Sequence, residues 1–205
     1  MELNDTLISD LNVALNESSW CYAEAMSDGS VVDLGFQVLT LPVAGPEPDL
    51  MARSIRFHLF SVGRIAASLR MGRWNDVDAA VEPFALKDLN EVVEGFGGCP
   101  IYGWEFIDGP EKSWNHWKDR LSLNSVFPRG SDEHVFDLFQ ESALGPDRHL
   151  DVRIWFRDLS VFDYEENPIS LEDFSAGGKR WWDALHAGDP RTSGHGIVPL
   201  KPEEK

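Results

Sequence analysis

From His149 to Arg157 the chain alternates without a break: Leu150, Val152, Ile154 and Phe156 point one way, and His149, Asp151, Arg153, Trp155 and Arg157 the other. Successive side chains of an extended chain face opposite sides of a sheet, so this stretch is a half-buried strand, and no helix gathers those four apolar residues on one stripe. The same period runs through Ile55, Phe57 and Leu59, set against Arg56, His58 and Phe60. It resumes after Gly63 with Ile65, Ala67, Leu69 and Met71, set against Arg64, Ala66, Ser68 and Arg70. The pattern predicts two strands joined as a hairpin that turns near residues 61–63.

Further strands are expected at 135–140 and 159–164, and a pair at 20–26 and 31–41 flanks Asp28-Gly29, a strong hairpin signal. Between Gly97 and Asp108 lies a run rich in aromatic and β-branched residues, Ile-Tyr-Gly-Trp-Glu-Phe-Ile. Read as a strand, it puts Tyr102, Trp104 and Phe106 on one face and Ile101, Glu105 and Ile107 on the other. Both faces are apolar, which predicts a central strand covered on two sides, with the Glu105 carboxylate buried among isoleucines. Residues 42–51 and 124–134 read as irregular connections.

Helical spacing is found at Leu7, Leu11, Ala14 and Leu15, at Leu86, Leu89, Val92, Val93 and Phe96, and at Trp114, Trp117 and Leu121. Ser170-Leu171-Glu172-Asp173 has the form of a helix start, and Gly177-Gly178 predicts a break before a last helix over about 179–187. The expected fold class is α+β: a mainly antiparallel twisted sheet of about six to eight strands covered by three or four helices. It is expected as a single domain over residues 1–189, followed by a polar, loosely ordered tail over 190–205.

Thirty-five acidic against eighteen basic residues give a net charge of −17. Such a charge repels phosphate backbones and anionic lipid and favours encounter with cationic partners, so a basic protein partner is expected, and neither nucleic acid nor membrane. Residues 130–175 carry twelve acidic and three basic side chains, a concentration that could steer such a partner. The chain starts without a basic segment followed by an apolar run, and no stretch approaches the roughly 20 apolar residues that span a bilayer, which predicts a cytoplasmic protein. Cys21 and Cys99 are too few for a disulfide framework or a thiolate metal site and are expected as buried free thiols. Asp76 and Asp78 lack the glycine and ligand spacing of a calcium loop, and Gly178-Lys179-Arg180 lacks the remaining parts of a phosphate loop. No cofactor and no metal are expected.

Nucleophile-elbow, zincin, Cys-x-x-Cys and kinase signatures are missing from the sequence. The leading expectation is therefore a non-catalytic, inhibitor- or immunity-like protein that docks a cationic protein through Asp163, Glu165, Glu166, Trp155 and Arg153. The alternative is a small-molecule or carbohydrate-binding protein, or a hydrolytic enzyme, with Glu105 as acid or base and Tyr102, Trp104, His149 and Asp151 around the ligand. A third possibility for Glu105 is structural, an ion pair with Arg56, Arg70 or Arg153. Eight tryptophans strengthen any binding reading, and Trp74, Trp114 and Trp155 are the ones expected at the surface.

Overall fold

In the computed structural model, which describes residues 3–103, 105–143 and 145–197, the alternating stretches assemble into two antiparallel sheets rather than one. Helix α1 (Asp5–Leu15) leads into β1 (Ser19–Ala25), β2 (Val31–Gln37), β3 (Ser54–Phe60), β4 (Arg64–Met71) and the short β5 (Ala80–Val81). Helices α2 (Leu89–Glu94) and α3 (Glu111–Asn115) precede β6 (Leu123–Val126), β7 (His134–Glu141) and β8 (Arg148–Phe156). Then come β9 (Asp158–Asp163), β10 (Pro168–Ile169) and α4 (Leu171–His186). The α+β class and the antiparallel pairing hold, while ten strands in two sheets replace six to eight in one.

The first sheet has the order β1-β2-β3-β9-β10 and the second β5-β4-β8-β7, with β6 paired to the end of β4 that β5 leaves free. Their apolar faces meet: Phe36 and Phe57 from the first sheet stand 6.3 and 6.0 Å from Phe136 of the second, ring centre to ring centre. The expected hairpin over 55–71 is therefore a crossing between sheets. Ser61 takes φ 53°, Val62 is fully buried, and Arg157 crosses back beside it, its N–H donating to the Phe60 carbonyl. Only a crossing lets Ile55, Phe57 and Leu59 face Ile65, Ala67 and Leu69 across one core. β6 lies in a stretch expected as loop, its four residues paired with Arg64–Ala67.

The hairpin at Asp28-Gly29 forms as expected. Asp28 accepts the Ser30 N–H at 2.9 Å, and Gly29, at φ 72°, lies so close to Phe127 that a β-carbon would sit 2.2 Å from its ring. Asn4 caps α1 through the Leu7 N–H at 3.0 Å, and Ser170 caps α4 through the Asp173 N–H at 3.0 Å. Helix α4 runs unbroken through Gly177 and Gly178. These glycines are contact points rather than breaks: a β-carbon on Gly178 would lie 2.5 Å from Ala14 of α1, and one on Gly177 would lie 2.4 Å from the Thr40 hydroxyl. Past α4, residues 190–192 form a 3₁₀ turn and His195 sits 2.7 Å from Glu47, so the first part of the expected loose tail is docked. Residues 198–205 lie outside the described residues.

The predicted central strand is not one. Ile101 bridges Gln140, the Tyr102 N–H donates to the Phe139 carbonyl at 3.0 Å and Ile107 bridges Phe136, so both ends of the segment touch the outer edge of β7, but Gly103 and Glu105 leave the ladder. Gly103 takes φ 150° and breaks the pleat, which is why Ile101, Phe106 and Ile107 are all buried despite their mixed parity. Glu105 is exposed. Two apolar faces in the sequence therefore reflect a bulged edge segment, not a strand covered on both sides.

Candidate functional site

The polar face of the second sheet is built from alternate residues of three strands. Arg64, Ala66, Ser68 and Arg70 of β4 stand beside Trp155, Arg153, Asp151 and His149 of β8, and these beside Val135, Asp137, Phe139 and Glu141 of β7. Alternation predicted which residues share this side, but the side is not wet. The chain after the bulged segment crosses it, held by Ser122 N–H to the Ala67 carbonyl and by Ser68 Oγ to the Arg120 carbonyl, at 2.8 and 2.6 Å. Trp114 packs edge-on against Trp117 and Trp155, at 4.7 and 5.1 Å, and the Arg64 guanidinium lies about 5 Å from the Trp114 and Trp155 rings. Trp114 and Trp155 are thus cap and floor of one covered layer; Trp74 alone of the three expected surface tryptophans is strongly exposed, at 60%.

Beneath the cap, Arg153 is 3% exposed and donates from Nε to Asp137 at 2.6 Å, while the buried Arg70 donates to Asp151. Burial raises the Asp137 carboxyl against the pull of Arg153, and raises Asp151 to about 7 against the pull of Arg70. Charges taken out of water in this way need partners, and each carboxylate has its arginine. The third arginine considered for Glu105, Arg56, is held by Asp33 and Glu166 on the first sheet. All three arginines therefore pair with aspartates, not with Glu105, and the exposed Glu105 loses the burial that singled it out.

Next to these pairs lies a cavity of about 260 Å³. Asp137 and Asp151 line its floor, Phe106, Phe139 and Trp117 its walls, and Tyr102, Glu105, Lys112 and Ser113 its rim. Three of the residues expected around a ligand, Tyr102, Glu105 and Asp151, thus meet. His149 does not join them: it is fully buried, with Nδ1 3.1 Å from the Gly72 carbonyl and its pKa lowered mainly by burial. Trp104 lies outside the described residues. Asp137 and Trp117 were missed, because the pairing of Asp137 with Arg153 depends on a strand register that no local pattern encodes.

The residues expected to dock a partner separate into two groups. Arg153, which is buried, and Trp155, which is half-buried, belong to the covered face just described. Asp163, Glu165 and Glu166 lie at the end of β9 and in the loop after it, beside the first sheet, where Glu166 pairs with Arg56. That strand carries the chain about 17 Å from Asp158, the residue near Trp155, to Asp163. Asp163 orders the loop by accepting the Glu165 and Asn167 N–H groups at 2.9 and 2.8 Å.

This loop overhangs the outer face of the first sheet, where Tyr22, Gln37, Arg56, His58, Phe60 and Phe162 are half-exposed. A groove of about 480 Å³ runs there between Tyr22 and Tyr164, over Gly35 and past Arg56. The Tyr22 hydroxyl lies 2.5 Å from Glu24, and its pKa is raised by burial, by that bond and by Asp33. Tyr164 is raised chiefly by its bond to Glu165, with Asp49 and Asp163 adding to it. Cys21 lines the groove and, like Cys99, is a half-buried free thiol rather than a fully buried one.

Among the described residues no group of three or more histidines, cysteines or acidic side chains is placed to hold a metal ion, and no helix is long and apolar enough to cross a membrane. No protein-family model, curated protein or solved structure matches the chain.

Proposed function

We propose that this chain is a non-catalytic binding protein of the cytoplasm that docks a cationic protein partner, as inhibitor and immunity-like proteins do, on the open face of the first sheet. The observation that carries the reading is the pairing of Tyr22 and Tyr164 across the groove, each with its phenol oxygen beside a carboxylate: Glu24 at 2.5 Å and Glu165 at 3.2 Å. A groove with aromatic walls and an acidic border receives lysine and arginine side chains by ring contact and by charge at once. Arg56 does not oppose this strongly, because Asp33 and Glu166 already hold its guanidinium. The net charge of −17 extends the same preference to long range.

The experiment is charge reversal at the exposed lip of the groove. Glu165→Lys combined with Glu166→Lys should slow association with a basic protein partner by about tenfold or more while leaving the fold intact, as expected when rim charges steer encounter. The same reversal at Glu111 and Asp119, exposed on the other side of the molecule, serves as the control. Equal effects from both pairs would show that net charge alone matters and that the groove is not the docking site.

A further inference from the structure

We infer that the cavity between the 102–117 segment and the second sheet is a binding site for a neutral, polyhydroxylated small molecule of monosaccharide size. The charge balance around it argues for neutrality. Its carboxylates are Glu105, Asp137 and Asp151, and the cations beside them are Lys112 on the rim and Arg70 and Arg153 behind the floor. Three acidic groups stand against three cations there, in a chain whose net charge is −17, so the acidic excess is locally cancelled. An ammonium ion entering there would find the floor aspartates already engaged by arginine and meet Glu105 only at the exposed rim, where Lys112 also stands, and an anion would meet Asp137 and Asp151.

What the floor and rim retain is hydrogen-bonding capacity of both kinds. Arg70 bonds one oxygen of Asp151, which leaves the other as an acceptor in a side chain still 16% exposed. Lys112 donates, and the hydroxyls of Tyr102 and Ser113 both donate and accept. Ligand hydroxyls that give one hydrogen bond and take another match such a mixed set, whereas a purely apolar ligand would leave it unpaired. The walls offer Phe106, Phe139 and Trp117 to the apolar side of a ring. A volume of about 260 Å³ equals roughly nine waters at about 30 Å³ each, room for one sugar ring but not two. This site lies on the other sheet from the proposed docking groove and is independent of it.

The test titrates the full chain with D-glucose, D-galactose and D-mannose, read by calorimetry and by tryptophan emission, since Trp117 lines the cavity. At least one sugar should bind saturably, with a dissociation constant in roughly the millimolar range expected of so small a ligand. Ser113→Trp, which fills the cavity from its exposed rim and leaves both ion pairs untouched, should weaken that binding about tenfold or more, equal to about 1.4 kcal/mol. Asp151→Asn should weaken it as well; if that variant does not fold, Ser113→Trp decides alone. Failure of all three sugars to saturate, binding unchanged by Ser113→Trp, or tighter binding of guanidinium or methylammonium than of any sugar would each overturn the proposal.

Discussion

Asn12 of α1 completes the backbone of Ile107: its Oδ1 accepts the Ile107 N–H at 2.8 Å and its Nδ2 donates to the Ile107 carbonyl at 3.2 Å. The same oxygen takes the Phe106 N–H at 2.9 Å. One buried amide thus does on one side of the bulged segment what a neighbouring strand would do, while β7 holds the other side through Asp137 N–H to the Phe106 carbonyl. Asn12→Leu keeps the branched outline of the side chain and strands two donors and an acceptor in the interior. It should lower stability by about 2–4 kcal/mol, read as a shift in the urea midpoint at constant slope. A shift below about 0.5 kcal/mol would mean that water replaces the amide freely.

The approach of α4 to α1 is set by Gly178 against Ala14. Gly178→Ala gains about 1 kcal/mol of helix propensity, yet forces a methyl to 2.5 Å from Ala14, an overpacking that costs about 1–3 kcal/mol. The variant should be less stable than the parent by up to about 2 kcal/mol. The exposed helix residue Glu172, changed to Ala, serves as reference and should move stability by no more than about 0.5 kcal/mol. Stabilisation by Gly178→Ala would show that the two helices can part without loss.

Asp151 makes stability depend on pH in a direction opposite to that of an ordinary surface carboxylate. Burial raises its pKa in the folded chain to about 7, from an ordinary value of 3.8, so its protonated form is the one the fold prefers. That contribution is complete below about pH 4 and is lost as pH rises through about 7. Compared with Asp151→Asn, which cannot titrate, the parent should therefore lose stability between about pH 4 and pH 8, by at most about 4 kcal/mol. Denaturation of both proteins across this range measures the difference; a difference that grows in the parent's favour with pH would show that Arg70 outweighs burial.

Much of the fold was legible because local chemistry decided it. Asp28-Gly29 turned the first hairpin, Asn4 and Ser170 started their helices, and alternation placed His149, Asp151, Arg153 and Trp155 on one side of β8. What alternation does not encode is what lies above a face, so a row of charged and aromatic residues read as a surface although Trp114 and Trp117 cover it. The Tyr102–Ile107 segment misled for a related reason. A run of apolar residues of mixed parity fits a doubly covered strand and equally a bulged edge, and only the distant Asn12 and the conformation of Gly103 separate the two. The site was legible in parts: Tyr102, Glu105 and Asp151 share a cavity, but Asp137 and the Tyr22–Tyr164 groove arise from strand register and from a loop folding back, both long-range facts.

Docking of a cationic partner on the open face of the first sheet is tested most directly by how its association rate responds to salt. Between about 0.05 and 0.5 M salt the Debye length shrinks from roughly 14 to 4 Å, so an encounter steered by the carboxylates around Tyr22 and Tyr164 should slow by at least about tenfold, while dissociation changes much less. An association rate that stays constant across that range would contradict the account, since the acidic border of the groove would then play no part in recognition.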